Sequence, residues 1–168
     1  MIFVTVGTHE QPFDRLVSHI DTLVETGVIT EEVVIQTGFS NYEPKHCRWS
    51  KLLPHKEVKA LVEEARIVIT HGGPASFMMP LQEGKIPVVV PRRAQYSEHI
   101  NDHQVSFCKE VAQRNGNIIF VEEMEQLAEV ICNYDDIVSG MSLENKSHNA
   151  RFNEKLKKMV DEMFAEGK

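Results

Sequence analysis

An α/β fold on a doubly wound, mostly parallel sheet is what this sequence predicts, and three features predict it. Short β-branched runs recur along the chain, segments with apolar residues at helical spacing separate them, and glycine-rich corners close several runs. The first run, at 2–6, is apolar at nearly every position, as a strand covered on both faces must be. Phe13, Leu16, Val17, Ile20, Leu23 and Val24 then fall on one helical face. A second run at 33–37 is followed by an irregular stretch, 41–53, with room for an extra strand around 42–49. Val58, Leu61, Val62 and Ala65 mark the next helix, and a third run, at 67–70, ends on His71-Gly72-Gly73-Pro74. A fourth run, at 87–90, leads through Pro91-Arg92-Arg93 to a helix beginning near Ser97, and a fifth lies at 118–121. On that helix Ile100, Phe107, Cys108 and Val111 form the apolar stripe, and Gln104 is its one polar step. An inward amide needs partners, either core backbone groups or a ligand's hydroxyls; the neighbouring Asn101, Asp102 and His103 favour a sugar.

The 168 residues, 42% of them apolar, suffice for one domain with a real core, expected over 1–145. Beyond it, 146–168 reads as a C-terminal amphipathic helix with Phe152, Leu156, Met159, Val160 and Met163 on one face. That stripe either packs back on the domain or docks a second subunit. A net charge of -7 and the absence of a long basic run argue against a nucleic-acid surface. Cys47, Cys108 and Cys132 are odd in number and lack Cys-x-x-Cys pairing, which fits a reducing cytoplasm rather than a disulfide framework or a thiolate zinc site. The start, Met-Ile-Phe-Val, has no basic leader, and no apolar run approaches the roughly 20 residues that span a bilayer, so a soluble chain is expected.

In doubly wound sheets, ligands bind outside the carboxyl ends of the strands. The most telling loop there is Thr70-His71-Gly72-Gly73-Pro74-Ala75-Ser76. Its glycines allow a sharp turn and close backbone approach, Pro74 suits the first helical position, and a helix N-terminus favours anions. It reads either as a diphosphate-binding corner or as an ordinary strand-to-helix turn. Gly7-Thr8 after the first strand offers a second short corner, but without Gly-x-Gly-x-x-Gly spacing or an acidic residue closing the second strand it is not a dinucleotide site. His99 and His103 have the one-turn spacing of helical zinc ligands, yet no His-Glu-x-x-His motif accompanies them, and neither metal nor cofactor is expected. Ser76 and Ser97 sit in no Gly-x-Ser-x-Gly elbow, and no nucleophile is evident.

Four motifs in this order carry a resemblance: Val4-Thr5-Val6-Gly7-Thr8, Thr70-His71-Gly72-Gly73-Pro74-Ala75-Ser76-Phe77, Gly84-Lys85-Ile86-Pro87-Val88-Val89-Val90-Pro91-Arg92, and Glu98-His99-Ile100-Asn101-Asp102-His103-Gln104. Together they resemble the carboxyl-terminal, nucleotide-sugar-binding half of GT-B glycosyltransferases of the family 28 type. The wording is nearest to the soluble subunit of two-component bacterial capsule and exopolysaccharide enzymes. The resemblance implies a UDP-sugar donor, with diphosphate at Gly7, Thr8, His71, Gly72, Gly73, Pro74 and Ser76 and the sugar near Asp102, His103 and Gln104. It further implies a membrane-associated partner subunit that holds a lipid-linked sugar acceptor, supplies the catalytic base and recruits this chain to the inner face of the membrane. The reaction implied is inverting hexosyl transfer in polysaccharide biosynthesis; the alternative is a non-catalytic accessory subunit that stabilises a partner transferase. One departure stands out. Such transferases carry a Glu eight residues after the position of His71 to hold the ribose hydroxyls, and Met79 occupies it here, leaving Glu83, a backbone group or the partner to compensate.

Overall fold

A computed structural model describes residues 1–141 and Lys158. Six parallel strands form one sheet in the order β3-β2-β1-β4-β5-β6. The strands are β1 (Ile2–Thr5), β2 (Val33–Gln36), β3 (Arg48–Ser50), β4 (Ile67–His71), β5 (Val88–Val90) and β6 (Ile119–Phe120). The helices are α1 (Asp14–Glu25), α2 (His55–Glu64), α3 (Pro74–Gln82), α4 (His103–Asn115), α5 (Gln126–Cys132) and α6 (Tyr134–Gly140). This is the doubly wound α/β architecture that the alternating pattern predicts. The strand order reverses between β1 and β4, and a crevice at the carboxyl ends of strands belongs at such a switch point.

Helices cover both faces, which is why β1, β2, β4 and β5 read as apolar runs until Thr5, Gln36 and Thr70 near the ends of the first three. On one face Ile2, Val4, Ile35, Ile69 and Val88 pack against Leu16, Val17 and Ile20 of α1 and Leu127 and Ile131 of α5. On the other, Phe3, Val34 and Val68 meet Val62 of α2, while Phe77 and Leu81 of α3 meet Val89 and Cys108 of α4. Pro74 opens α3 at its first position, where a missing N–H costs nothing.

Two expectations need correction. The extra strand is β3, centred on Trp49 and ending at Ser50, and the 41–47 stretch before it is irregular. Asp14 holds this stretch through the amides of Asn41 and Tyr42, and Asp21 holds it through Tyr42 Oη and the amides of Lys45 and His46. Backbone pinned to acidic side chains of α1 has no need of a strand ladder. The helix expected from Ser97 starts instead at His103. Ser97, at φ 57°, ends a 3₁₀ turn over Ala94–Tyr96 in the left-handed region, and Asp102 Oδ1 holds the Ala94 amide at 2.8 Å. Ile100 therefore lies outside the helix and is 81% exposed rather than part of an apolar stripe. His99 likewise precedes α4, so the one-turn spacing from His103 is lost.

All three cysteines are free thiols: Cys108 is buried, Cys47 half-buried and Cys132 exposed. Among the described residues no helix is long and apolar enough to cross a membrane. The stripe from Phe152 to Met163 lies outside the described residues.

Candidate functional site

The loops after β1 and β4 meet at the switch point, and His71 is their hinge pin. Its ring lies between two glycines. A Cβ on Gly7 would stand 2.5 Å from His71 Nε2, and one on Gly73 would collide with Cε1. Gly7 also has φ +75°, so any L side chain is excluded twice over. Enclosure pushes the His71 pKa down to about 3, helped by the positive charge of Arg92, so the ring is neutral at physiological pH.

The hydrogen bonds of that neutral ring set the polarity of the corner. Gly73 N–H donates to His71 Nδ1 at 3.0 Å, so the remaining hydrogen is on Nε2, which faces Ser76 Oγ at 2.6 Å. Ser76 Oγ thus accepts from the imidazole and keeps its own proton for a further acceptor. The same bonds revise the backbone cradle that the two glycines suggest. The Gly73 amide is committed to His71, Pro74 has no N–H, and the Ser76 amide donates to Gly73 O at 3.0 Å. At this helix end, the Ala75 amide and the Ser76 hydroxyl are the donors still available for an anion.

Two cavities flank the corner. One, of about 770 Å³, is lined by Thr5, Gly7, Thr8 and His9 from β1 and its loop, Gln36 from β2, and His71, Gly73, Pro74, Ser76 and Met79 from β4 and α3. Leu53, His55, Val58, Val62 and Ala75 complete its wall. The other, of about 440 Å³, is lined by Gly72, Pro74, His99, Asn101, His103, Gln104 and Phe107. Both volumes fall in the range of small-molecule sites. The His9 and His99 rings, 5.1 Å apart, bridge from one cavity to the other.

Of the residues singled out in sequence, Gly7, Thr8, His71, Gly73, Pro74 and Ser76 border the larger cavity, and Gly72, Pro74, His103 and Gln104 the smaller. Asp102 lies outside both, with its carboxylate on the Ala94 amide. Gln104 does point inward, but Oε1 accepts from Arg92 N at 3.1 Å, so its first partner is core backbone. Glu83 caps the far end of α3 and lies 3.9 Å from Lys59 Nζ; it borders neither cavity.

Sequence reasoning missed the group that ties these loops together. Arg92 is 0% exposed; its Nη1 donates to Gln11 O at 2.7 Å and Glu98 O at 3.1 Å, and its Nη2 to Val6 O at 2.8 Å. One guanidinium thereby clamps the loop after β1 to the loop after β5. Burial lowers its pKa to about 10, with Glu98 pulling the other way, and it still carries charge at neutral pH. Glu98 itself receives a bidentate pair from Arg15, at 2.8 and 2.9 Å. A charged residue directly after the buried run Val88–Val90 and Pro91 was the available signal. Among the described residues, no group of three or more His, Cys, Asp or Glu is placed to hold a metal ion.

The model of the glycosyltransferase family 28 C-terminal domain matches residues 1–163. The chain belongs to that family. As a family 28 C-terminal domain it shares its fold with the glycosyltransferase SnogD from Streptomyces nogalater, at 18% identity and a TM-score of 0.60 over 95% of this chain and 42% of that one. It is similar in the same way to the glycotransferase of kitacinnamycin, at 18% identity and a TM-score of 0.56 over 92% of this chain and 38% of that one. The family 28 domain thus spans about two fifths of the length of these GT-B structures. No curated protein matches its sequence.

Proposed function

We propose that this chain is the UDP-sugar-binding half of a two-component inverting glycosyltransferase. The observation that carries the donor-site reading is the pair of cavities meeting at the His71–Pro74 corner of a family 28 domain. The larger cavity takes the nucleoside, the corner takes the diphosphate, and the smaller cavity takes the hexose beside His103 and Gln104. At the corner, Thr8, the Ala75 amide and the Ser76 hydroxyl receive the phosphate oxygens. Buried Arg92 adds positive potential behind them, which stabilises the charge that grows on the departing diphosphate.

A membrane-associated partner supplies the other half of the cleft, the lipid-linked sugar acceptor and the base that removes its hydroxyl proton. The setting is polysaccharide synthesis, capsule or exopolysaccharide, at the inner face of the membrane. Met79 favours a second reading, a non-catalytic subunit that stabilises a partner transferase, because it removes an acidic contact to ribose. Thermal denaturation with and without UDP tests the binding claim. Saturation at about a hundred times the dissociation constant adds ~2.7 kcal/mol of stability. A chain that gains nothing from UDP, alone and with its partner, overturns the donor-site reading and leaves the accessory one.

A further inference from the structure

Three adjacent strands change character at the same level and on the same face of the sheet. Phe3, Val34 and Val68 are in register across β1, β2 and β4, buried, and packed under Val62 and Ala65. Two residues on, and therefore on the same face, the register row is Gln36, Thr5 and Thr70, exposed by only 4%, 7% and 0%. Where the cover of α2 ends, the apolar sheet turns polar, and Thr5 and Gln36 form part of the lining of the larger cavity.

The hydrogen bonding of this row is incomplete. Thr5 Oγ1 accepts from Gly7 N–H at 3.2 Å, while buried Thr70 Oγ1 has no partner. The Gln36 backbone carbonyl accepts from Val6 N–H, but its side-chain amide makes no hydrogen bond among the described residues. Thr70 Oγ1 is enclosed, whereas the Gln36 amide is not among the enclosed unpaired atoms and opens onto the cavity, where a ligand can reach it. On the wall opposite, Leu53, Val58, Val62 and Met79 offer no N–H or O–H donor, and the imidazole of His55, at the start of α2, is the polar group there. Polar recognition in this part of the cavity falls to the sheet floor and to His55.

We infer that Gln36 is a specificity-determining residue that reads the nucleoside portion of the bound donor. This rests on the donor-site reading above. Its amide suits a ligand edge with an acceptor and a donor side by side: Nε2 donates to one and Oε1 accepts from the other. Both the ribose hydroxyls and the imide edge of a pyrimidine have that chemistry.

Calorimetric titration of the full chain with UDP, 2′-deoxy-UDP, 3-methyl-UDP and inorganic pyrophosphate tests the assignment. Gln36→Met is expected to weaken UDP about tenfold, the scale of lost hydrogen bonds to a ligand, and to leave pyrophosphate unchanged. It also erases the preference of the wild-type chain for UDP over whichever analogue lacks the group that Gln36 contacts, 2′-deoxy-UDP for ribose or 3-methyl-UDP for the base. Gln36→Glu keeps an acceptor without the donor, falls between the two, and carries the test if Gln36→Met does not fold. Equal UDP affinity in variant and wild type overturns the inference and leaves the donor site standing. Parallel loss of UDP and pyrophosphate overturns it too, since it reveals a structural role. A wild-type chain that binds pyrophosphate but not UDP overturns both.

Discussion

Buried polar groups are treated in opposite ways at two places in this domain. On the outer flank of α1, Asp21 is 1% exposed and fully served: Tyr42 Oη and the amides of Lys45 and His46 all donate to it, at 2.8–2.9 Å. Burial alone would raise its pKa, but these donors and the Cys47 thiol outweigh that and hold it down to about 2. On the cavity floor Gln36, 4% exposed, makes no side-chain hydrogen bond among the described residues and its amide opens onto the cavity. The first arrangement is an anchor, complete in itself; the second leaves hydrogen-bonding capacity facing the cavity. Burial alone therefore does not distinguish structure from site, whereas the balance of donors and acceptors does.

The strongest way to break this contrast is at the anchor. Asp21→Ala strands a hydroxyl and two amides, and a loss of about 3 kcal/mol is expected, a fall in Tm of roughly 10 °C for a domain of this size. Acid titration sharpens the same point. The folded pKa of Asp21 is depressed, so its contribution is present above the ordinary aspartate range and disappears as pH falls towards 2. The melting difference between wild type and Asp21→Asn should accordingly close in that window.

At the corner, Gly7→Ala adds a methyl group against the His71 ring at a positive φ, and about 1–3 kcal/mol of destabilisation is expected in urea unfolding. His71 supplies a pH signature of its own. Its folded pKa lies below the unfolded one, so the unfolded state binds the extra proton and stability declines from pH 6.5 downwards towards 3. One proton corresponds to a slope of about 1.4 kcal/mol per pH unit, and His71→Asn should lose that share between pH 6 and pH 4. The smallest effect is expected on the floor. Gln36→Met should leave the unliganded chain within about 0.5 kcal/mol of wild type, or more stable, because no hydrogen bond is broken.

Much of the fold was legible because parallel strands buried on both faces are mainly apolar, as β1, β2, β4 and β5 are up to the Thr5, Gln36 and Thr70 row. The edge strand β3 was expected but set too early, around 42–49, because Arg48-Trp49-Ser50 is short and polar, with one neighbour only. The turn from β4 into α3 was legible through Gly72, Gly73 and Pro74, residues that serve an ordinary strand-to-helix turn and an anion-binding corner alike. What stayed hidden depends on contacts between distant segments. Nothing local says that Gln36 stands beside Thr5, or that Arg92 abandons solvent for the carbonyls of Val6 and Gln11. The late start of α4 was hidden for a related reason: Ile100 fits a helical stripe, but Ser97 and the Asp102 contact to Ala94 turn the chain first.

The three thiols differ enough in surroundings to serve as a built-in address system. Burial pushes Cys108 and Cys47 up to about 12, Cys47 with help from Asp21, so neither offers a thiolate near neutrality. Cys132, exposed at the end of α5, is the one a maleimide dye would modify in the folded chain. A fluorophore placed there without mutagenesis lies outside both cavities and takes up none of their space.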